Sequence, residues 1–123
     1  MAKSKVVPAE LLAEVVAKGM EEKKGLEIVI MDLRKLKASV ADFFVVCHGT
    51  SDKHVQSLAD SVEEMTLKTL KDKPLHTEGK ENGEWVLLDY VDVVVHIFLE
   101  DKRDYYGIEE LWGDAEFKKV ATV

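Results

Sequence analysis

The sequence predicts an α/β domain in which helices flank a mixed β-sheet of about five strands. Short apolar runs rich in Val, Ile and Phe recur along the chain and have the length of buried strands. Two longer segments instead carry apolar residues at intervals of three and four, as helices with one buried face do. The 123 residues, 46% of them hydrophobic, suffice for one domain with a substantial core. The predicted order αββαβββα favours a single sheet with helices packed on it.

The first helix is predicted over residues 8–24. Pro8 suits the first helical turn, where a backbone N–H has no partner within the helix. Lys23, Lys24 and Gly25 are typical of a helix end. The apolar positions at helical spacing are Leu11, Leu12, Val15, Val16 and Met20. Residues 1–7 are expected to form a flexible N-terminal tail.

Two strands are predicted next, over Leu26–Leu33 and Phe43–Cys47. The first contains the apolar run Ile28–Met31 and is expected to be short and buried. The second is rich in residues that favour strands. Arg34–Ala41, which joins them, is interpreted as a polar connection.

A second helix is predicted after the turn His48–Ser51. Thr50 or Ser51 is expected to be its N-cap, because a side-chain oxygen there accepts a hydrogen bond from a free amide of the first turn. The helix is expected to end near Lys71–Lys73, before Pro74. Its predicted apolar face consists of Val55, Leu58, Ala59, Val62, Met65 and Thr69 or Leu70.

Three short strands complete the predicted sheet, over Leu75–Glu78, Trp85–Asp89 and Val93–Leu99. Glu81–Gly83 contains a hairpin turn signal between the first two. The strand–helix–strand segment of residues 43–78 has the pattern of a right-handed parallel crossover.

The chain becomes polar after Glu100, and Ile108–Leu111 is predicted to be a short helix. The domain is expected to span residues 8–116, which leaves residues 117–123 as a C-terminal tail.

Acidic residues are concentrated in the C-terminal part of the chain. The net charge is −7, yet residues 78–116 contain twelve acidic and three basic residues, so this segment carries −9 and the rest +2. Such a surface repels phosphate backbones, which bind to Lys and Arg. We therefore expect little direct contact with nucleic acid and an attraction to a basic partner protein.

All tryptophan and tyrosine residues lie in this same acidic segment: Trp85, Tyr90, Tyr105, Tyr106 and Trp112. Alternation along the predicted strand places Trp85, Leu87 and Asp89 on one face and leaves equally apolar residues on the other. The second face must therefore be covered by a helix of the domain or by a partner. The short polar-flanked stretch of residues 105–112 cannot bury all its apolar side chains, and an exposed apolar cluster rimmed by charge usually marks an interaction site.

Histidine and cysteine spacing does not predict a metal site or a nucleophile. The four histidines, His48, His54, His76 and His96, form no His-x-x-x-His pair. His96, inside an apolar strand, fits a buried hydrogen-bonded residue or an interface residue. Cys47, the single cysteine, cannot form an internal disulfide and ends a strand where a small core residue is common. A thiolate stabilised by the following helix N-terminus is the alternative. We expect no cofactor and no metal.

The Gly49–Ser51 loop and the pair Asp89 and Asp92 leave a nucleotide-binding alternative open. Amides at a helix N-terminus bind anions, and carboxylates hold divalent metals in nucleotidyltransferase sites. The loop, however, lacks the Lys and the second Gly of a phosphate-binding loop, and a third acidic residue is not evident. Capping and turn formation are the simpler interpretation.

Three stretches together resemble the ribosomal silencing factor family, also called Iojap-like proteins. They are the Gly-Thr-Ser turn before a helix at 49–51, EWVLLDYVDVVVHIF at 84–98 and YYGIEELWGDA at 105–115. The resemblance covers residues 8–116. Two positions depart from the family pattern. Val91 stands where Gly is frequent, so this connection must differ in shape or carry strain, and His48 replaces a smaller hydroxyl residue.

The resemblance implies an α/β fold related to nucleotidyltransferases but without their catalytic residues, and hence a protein that is not an enzyme. It implies a translational repressor that binds the large ribosomal subunit through ribosomal protein L-fourteen and sterically blocks joining of the small subunit. Homodimers are implied as well. The contact residues it implies are Trp85, Asp89, His96, Tyr105, Tyr106 and Glu109, while Leu111 and Trp112 are expected to anchor the last segment.

Two further functions remain open on the sequence: an assembly factor of the large subunit and a nucleotidyltransferase-like nucleotide-binding protein. A cytoplasmic location is expected, because the chain has one cysteine, no apolar run near the roughly 20 residues of a membrane helix, and no stretch like a signal peptide.

Overall fold

The computed structural model describes residues 7–37 and 40–120. The helices are α1 (Ala9–Glu22), α2 (Asp52–Leu70), α3 (Glu100–Tyr106) and α4 (Ile108–Leu111). The strands are β1 (Leu26–Asp32), β2 (Phe43–Gly49), β3 (His76–Glu78), β4 (Trp85–Asp89), β5 (Val93–Leu99) and β6 (Glu116–Lys119). None of the helices in these ranges is long and apolar enough to cross a membrane.

All six strands form one mixed sheet in the order β3-β4-β5-β2-β1-β6. The central pair, β2 and β5, is parallel and runs in register from Phe43 opposite Val93 to Gly49 opposite Leu99. Every other neighbouring pair is antiparallel. β2 and β5 are almost wholly buried, as expected for strands covered on both faces. The predicted mixed α/β sheet is confirmed.

Helices α1 and α2 cover the first face of the sheet, and their apolar residues form the main core with alternate residues of β1, β2, β4 and β5. The two helices approach closely at Gly19, where an added Cβ atom would lie 2.9 Å from Cα of Val62. The Ser61 hydroxyl donates a buried hydrogen bond of 2.7 Å to the Gly19 carbonyl. The close approach at Gly19 and the hydrogen bond from Ser61 together hold α1 against α2 over the first face of the sheet.

The sheet has six strands rather than the five predicted. Residues 117–119, which we expected to lie in a C-terminal tail, instead belong to β6 and pair with β1 at the sheet edge. The strand escaped prediction because its sequence, EFKK, has no apolar alternation and its side chains are all exposed. Residues 121–123 and residues 1–6 of the predicted N-terminal tail lie outside the described ranges.

The strand order and the segment after Glu100 also differ from expectation. The parallel neighbour of β2 is β5, whereas β3 lies at the sheet edge beyond β4. The crossover predicted within residues 43–78 therefore does not join adjacent strands. The polar stretch after Glu100 forms helix α3, whose only buried residue is Arg103. A helix without an apolar face gives no periodic signal in the sequence.

Candidate functional site

The second face of the sheet carries a cluster of rings that α3 and α4 cover only in part. We call it the aromatic cluster, and its members are Phe44, Trp85, His96, Phe98, Tyr105, Tyr106 and Trp112. Phe44, His96 and Phe98 form its buried floor, on the strands β2 and β5. The cluster continues outward to side chains that solvent reaches. It combines a rigid base with exposed aromatic groups, as protein-binding surfaces do.

Trp85 lies at the centre of this cluster. Its ring centroid is 4.5 Å from that of Tyr106 and 5.1 Å from that of Phe98. Trp85, Leu87 and Asp89 share the second face, because the burial of β4 alternates as predicted. A helix of the same domain therefore covers part of Trp85, and the remainder of the ring stays accessible.

His96 lies beneath Trp85 and is only 4% exposed. The indole Nε1–H of Trp85 donates a hydrogen bond of 3.1 Å to Nδ1 of His96. Burial lowers the pKa of His96 to about 4, so the ring is neutral at pH 7. Its Nε2 atom has no hydrogen-bond partner among residues 7–37 and 40–120. His96 thus supports the Trp85 ring from below.

Tyr105 and Tyr106 form the outer part of the aromatic cluster. Tyr106 contacts Trp85, and Tyr105 packs edge-on against Tyr106 with a centroid separation of 5.2 Å. Tyr105 is 77% exposed and Tyr106 is 41% exposed. The Lys102 ammonium lies 5.6 Å from the centre of the Tyr105 ring, which holds this ring at the surface. Two neighbouring exposed tyrosines are available to a partner.

Trp112 and Leu111 differ in their roles. Trp112 packs edge-on against Phe44, with centroids 5.7 Å apart, and joins the apolar cluster of the second face. Leu111, which we expected to help anchor the last segment, is 76% exposed. The anchoring partner of Trp112 within α4 is instead the buried Ile108. Leu111 therefore extends the exposed apolar surface beside the tyrosines.

Asp89 lies at the other end of β4 from Trp85, on the same face and about 13 Å along the strand. One of its carboxylate oxygens accepts the backbone N–H of Val91 at 2.8 Å, which shapes the β4–β5 connection. Val91 has φ +79°, and the Asp92 N–H donates to the Tyr90 carbonyl at 3.0 Å across it. This γ-turn is a strained conformation for a β-branched residue. Where the family frequently has Gly, this chain therefore keeps the positive φ and carries backbone strain at Val91.

Glu109 does not stand free at the surface. Both of its carboxylate oxygens accept hydrogen bonds from Arg103, at 2.8 and 3.0 Å. Arg103 also donates to Nδ1 of His48 at 2.9 Å. Burial, with the neighbouring Arg103 charge, lowers the pKa of His48. Glu109 and His48 therefore belong to one network around Arg103, a residue that the sequence did not single out.

The Gly49–Ser51 loop uses its polar groups internally. The Thr50 N–H donates to Nδ1 of His54 at 3.0 Å, and Nε2 of this ring bonds the Lys23 carbonyl at 2.8 Å. The Ser51 hydroxyl accepts the His54 N–H, which confirms Ser51 as the N-cap of α2. A phosphate at this helix end would have to displace these bonds.

Two residues with reactive side chains are part of the core on the first face. Cys47 is fully buried, and burial raises the pKa of its thiol to about 12, so it is not poised as a nucleophile. The Tyr90 hydroxyl is hydrogen-bonded to Thr66 at 2.8 Å, and burial raises its pKa. Tyr90 therefore lies apart from the other tyrosines.

Of the predicted contact residues, four come together in the structure: Trp85, His96, Tyr105 and Tyr106. Glu109 joins them indirectly through Arg103, and Asp89 lies at the far end of the same face. Sequence reasoning missed Phe44 and Phe98, the floor of the cluster. Phe44 and Phe98 alternate with core residues along β2 and β5. Because both faces of these strands are apolar, however, the sequence does not show which residues face the helices α1 and α2 and which face the aromatic cluster.

Comparison with protein families gives one match across most of the chain. The model of a family described as "Ribosomal silencing factor during starvation" matches residues 7–123. The chain is 39% identical over 105 residues to a protein of Halalkalibacterium halodurans named "Ribosomal silencing factor RsfS". That alignment covers 85% of this chain and 87% of the relative.

Two further relatives extend the comparison. A crystal structure of a Chromobacterium violaceum protein is similar with a TM-score of 0.81 and 37% identity, and the match covers 87% of this chain and 88% of that one. A mouse protein named "Mitochondrial assembly of ribosomal large subunit protein 1" is 33% identical over 73 residues. These are 58% of this chain and 32% of the mouse protein.

Proposed function

Since this chain belongs to the ribosomal silencing factor family, we propose that it is a non-enzymatic translational repressor that binds the large ribosomal subunit and blocks joining of the small subunit. The observation that carries the proposal is the aromatic cluster. Of its exposed tyrosines, Tyr105 packs on Tyr106 and Tyr106 packs on Trp85, which in turn packs on the buried floor of the cluster. A surface that is rigid before binding loses little conformational entropy when a partner docks.

The proposed partner on the subunit is a basic ribosomal protein, L-fourteen. Residues 78–116 carry a charge of −9 and include the exposed part of the aromatic cluster. An acidic rim attracts a cationic protein and disfavours direct contact with ribosomal RNA. Obstruction of subunit joining needs no catalysis. An interface of standard size, about 1,600 Å² in total, is enough to cover the surface of the large subunit that the small subunit would contact.

The proposed contact residues have different parts in this surface. Tyr105 and Tyr106 contact the partner directly with their exposed rings. The accessible part of Trp85, on strand β4, adjoins Tyr106 and adds to the same surface. His96 supports Trp85 from beneath. Asp89 adds negative charge at the far end of the face. Glu109 acts chiefly through Arg103.

Co-sedimentation with purified ribosomal subunits tests the proposal. We expect the wild type to pellet with large subunits, not with small subunits, and to lower the yield of joined ribosomes. Trp85→Ala should weaken binding by about 2 kcal/mol or more, as for aromatic residues at the centre of an interface. Circular dichroism must show that this variant is folded. A wild type that ignores large subunits, or a folded variant with unchanged affinity and unchanged effect on joining, contradicts the proposal.

A second candidate function is assembly of the large subunit, favoured by the name of the mouse relative. An assembly factor would use the same surface on an immature particle. The two functions differ in the preferred particle: a repressor binds mature large subunits, whereas an assembly factor prefers precursors. Competition between mature and precursor subunits for a limiting amount of the protein separates them.

We further propose that the protein acts in the cytoplasm.

We also propose that the protein forms a homodimer when it is not bound to the large subunit. If the aromatic cluster also forms the dimer interface, dimerisation and binding to the large subunit exclude each other. Light scattering of the wild type and of Tyr105→Ala then gives a lower dimer fraction in the variant.

A further inference from the structure

Arg103 joins four elements through a guanidinium group that is nearly buried. It is 8% exposed, although it comes from a short surface helix, α3. Nε and Nη2 donate to the two carboxylate oxygens of Glu109 at the start of α4. Nη1 donates to Nδ1 of His48 at the end of β2, at 2.9 Å, and lies 3.4 Å from the Leu26 carbonyl of β1. A planar, two-pronged contact of this kind fixes orientation as well as distance.

Helices α3 and α4 have few other means of holding their position. They are seven and four residues long, too short to be stable without tertiary contacts. Arg103 is the only buried residue of α3, and Ile108 is the only buried residue of α4. Gly107, with φ +60°, separates the two helices, so each can move with respect to the other when the contact is lost.

Tyr105 and Tyr106 follow Arg103 directly on the same helix, and Tyr106 packs against Trp85 at 4.5 Å. We propose that Arg103, gripped by Glu109 and His48, is a positioning residue: it fixes α3 and α4 so that Tyr106 covers Trp85 and Tyr105 faces the partner. The binding part of this inference rests on the proposed function, whereas the placement of Tyr106 on Trp85 does not. His48 fits this role because Arg103 can only donate, which requires an unprotonated Nδ1.

The inference changes the expected role of Glu109. An acidic residue that merely steers a basic partner can be replaced by any neighbouring acid of similar exposure. Glu110 is such a neighbour: it follows Glu109 in α4 and is exposed, and its carboxylate makes no hydrogen bond or ion pair with the described residues. Glu109→Ala and Glu110→Ala remove the same charge from the same helix, but only the first releases Arg103.

The test uses Trp85 as its own reporter. In a Trp112→Phe background, Trp85 is the single tryptophan, so its emission reports whether Tyr106 still covers it. We expect Glu109→Ala to shift this emission to the red and to increase its quenching by acrylamide, with an unchanged far-ultraviolet circular dichroism spectrum. Glu110→Ala should leave both fluorescence measurements unchanged. In co-sedimentation with large subunits, Glu109→Ala should raise Kd about tenfold, and Glu110→Ala much less.

Each outcome decides between alternatives. Equal affinity losses in the two variants, with unchanged Trp85 emission, overturn the inference and leave Glu109 as an ordinary surface charge. A red shift in Glu109→Ala without binding of any variant, the parent included, supports the positioning role and contradicts the proposed function. If Glu109→Ala is unfolded, Glu109→Gln and Arg103→Lys replace it, since each keeps the side-chain volume but loses the two-pronged ion pair. Normal Trp85 emission in both of these variants overturns the inference.

Discussion

The indole of Trp85 and the imidazole of His96 are joined by a hydrogen bond of 3.1 Å between Nε1 of the first and Nδ1 of the second. They lie diagonally across the antiparallel strands β4 and β5, because Trp85 is opposite Phe98 and Leu87 is opposite His96. The bond requires His96 to carry its proton on Nε2. It therefore fixes both the tautomer of His96 and the orientation of Trp85.

Trp85→Phe should destabilise the protein by about 1–2 kcal/mol, because it leaves Nδ1 of His96 buried without a donor. Phe preserves most of the ring contact with Tyr106. Urea unfolding measures the loss. Trp112→Phe is the matched control, since the Trp112 indole makes no hydrogen bond within the described ranges and this variant removes the same ring area. Equal losses in the two variants would mean that the hydrogen bond contributes nothing.

Acid should destabilise the protein through His96. Its pKa is lowered by burial from 6.5 to about 4, so the unfolded chain takes up the proton first as pH falls. The contribution of neutral His96 to the free energy of unfolding is complete above pH 6.5. It is lost between pH 6.5 and about 4, which lowers the free energy of unfolding by up to about 3 kcal/mol. Urea midpoints against pH should fall more steeply for the wild type than for His96→Gln, which retains a carbonyl acceptor for Trp85. Identical slopes would exclude His96 as the cause.

Tyr105→Ala should separate binding from stability. The side chain is 77% exposed, so its loss should hardly change the melting temperature. Loss of an exposed aromatic contact should raise Kd for large subunits about tenfold. Leu67→Ala is a suitable control, because Leu67 is also exposed but lies on α2, on the other side of the sheet. A similar effect of both substitutions would place the contact surface elsewhere.

Val91→Gly should stabilise the protein by about 1 kcal/mol. Glycine adopts the observed φ of +79° without a steric penalty, and this gain exceeds the extra entropy of glycine in the unfolded chain. Val91→Ala should give little gain, since alanine is also disfavoured there. Thermal unfolding of the three proteins provides the comparison. Equal melting temperatures for Val91→Gly and the wild type would show that the turn relaxes without cost.

The sequence predicted the elements that have strong periodicity and missed those made by tertiary contact. Helix α2 was predicted with its N-cap and its buried positions Val55, Leu58 and Val62, because local propensity and packing agree there. β6 and α3 were missed, since neither has an apolar face. The resemblance named Trp85, Tyr106 and Glu109 as contact residues, which stays a prediction, and the sequence did not show that Glu109 pairs with Arg103. No local pattern shows that a residue six positions away will bind both of its oxygens.

The single thiol of the chain offers a direct measure of global opening. Cys47 lies in the central strand β2, under both helices of the first face, and solvent does not reach it. Fraying of the edge strands or movement of α3 leaves it covered. A thiol reagent should therefore modify it only through whole-domain unfolding, so that its labelling rate, at reagent concentrations where refolding is faster than labelling, reports the free energy of that event. Binding of a large subunit to the native state should slow this labelling in proportion to subunit occupancy.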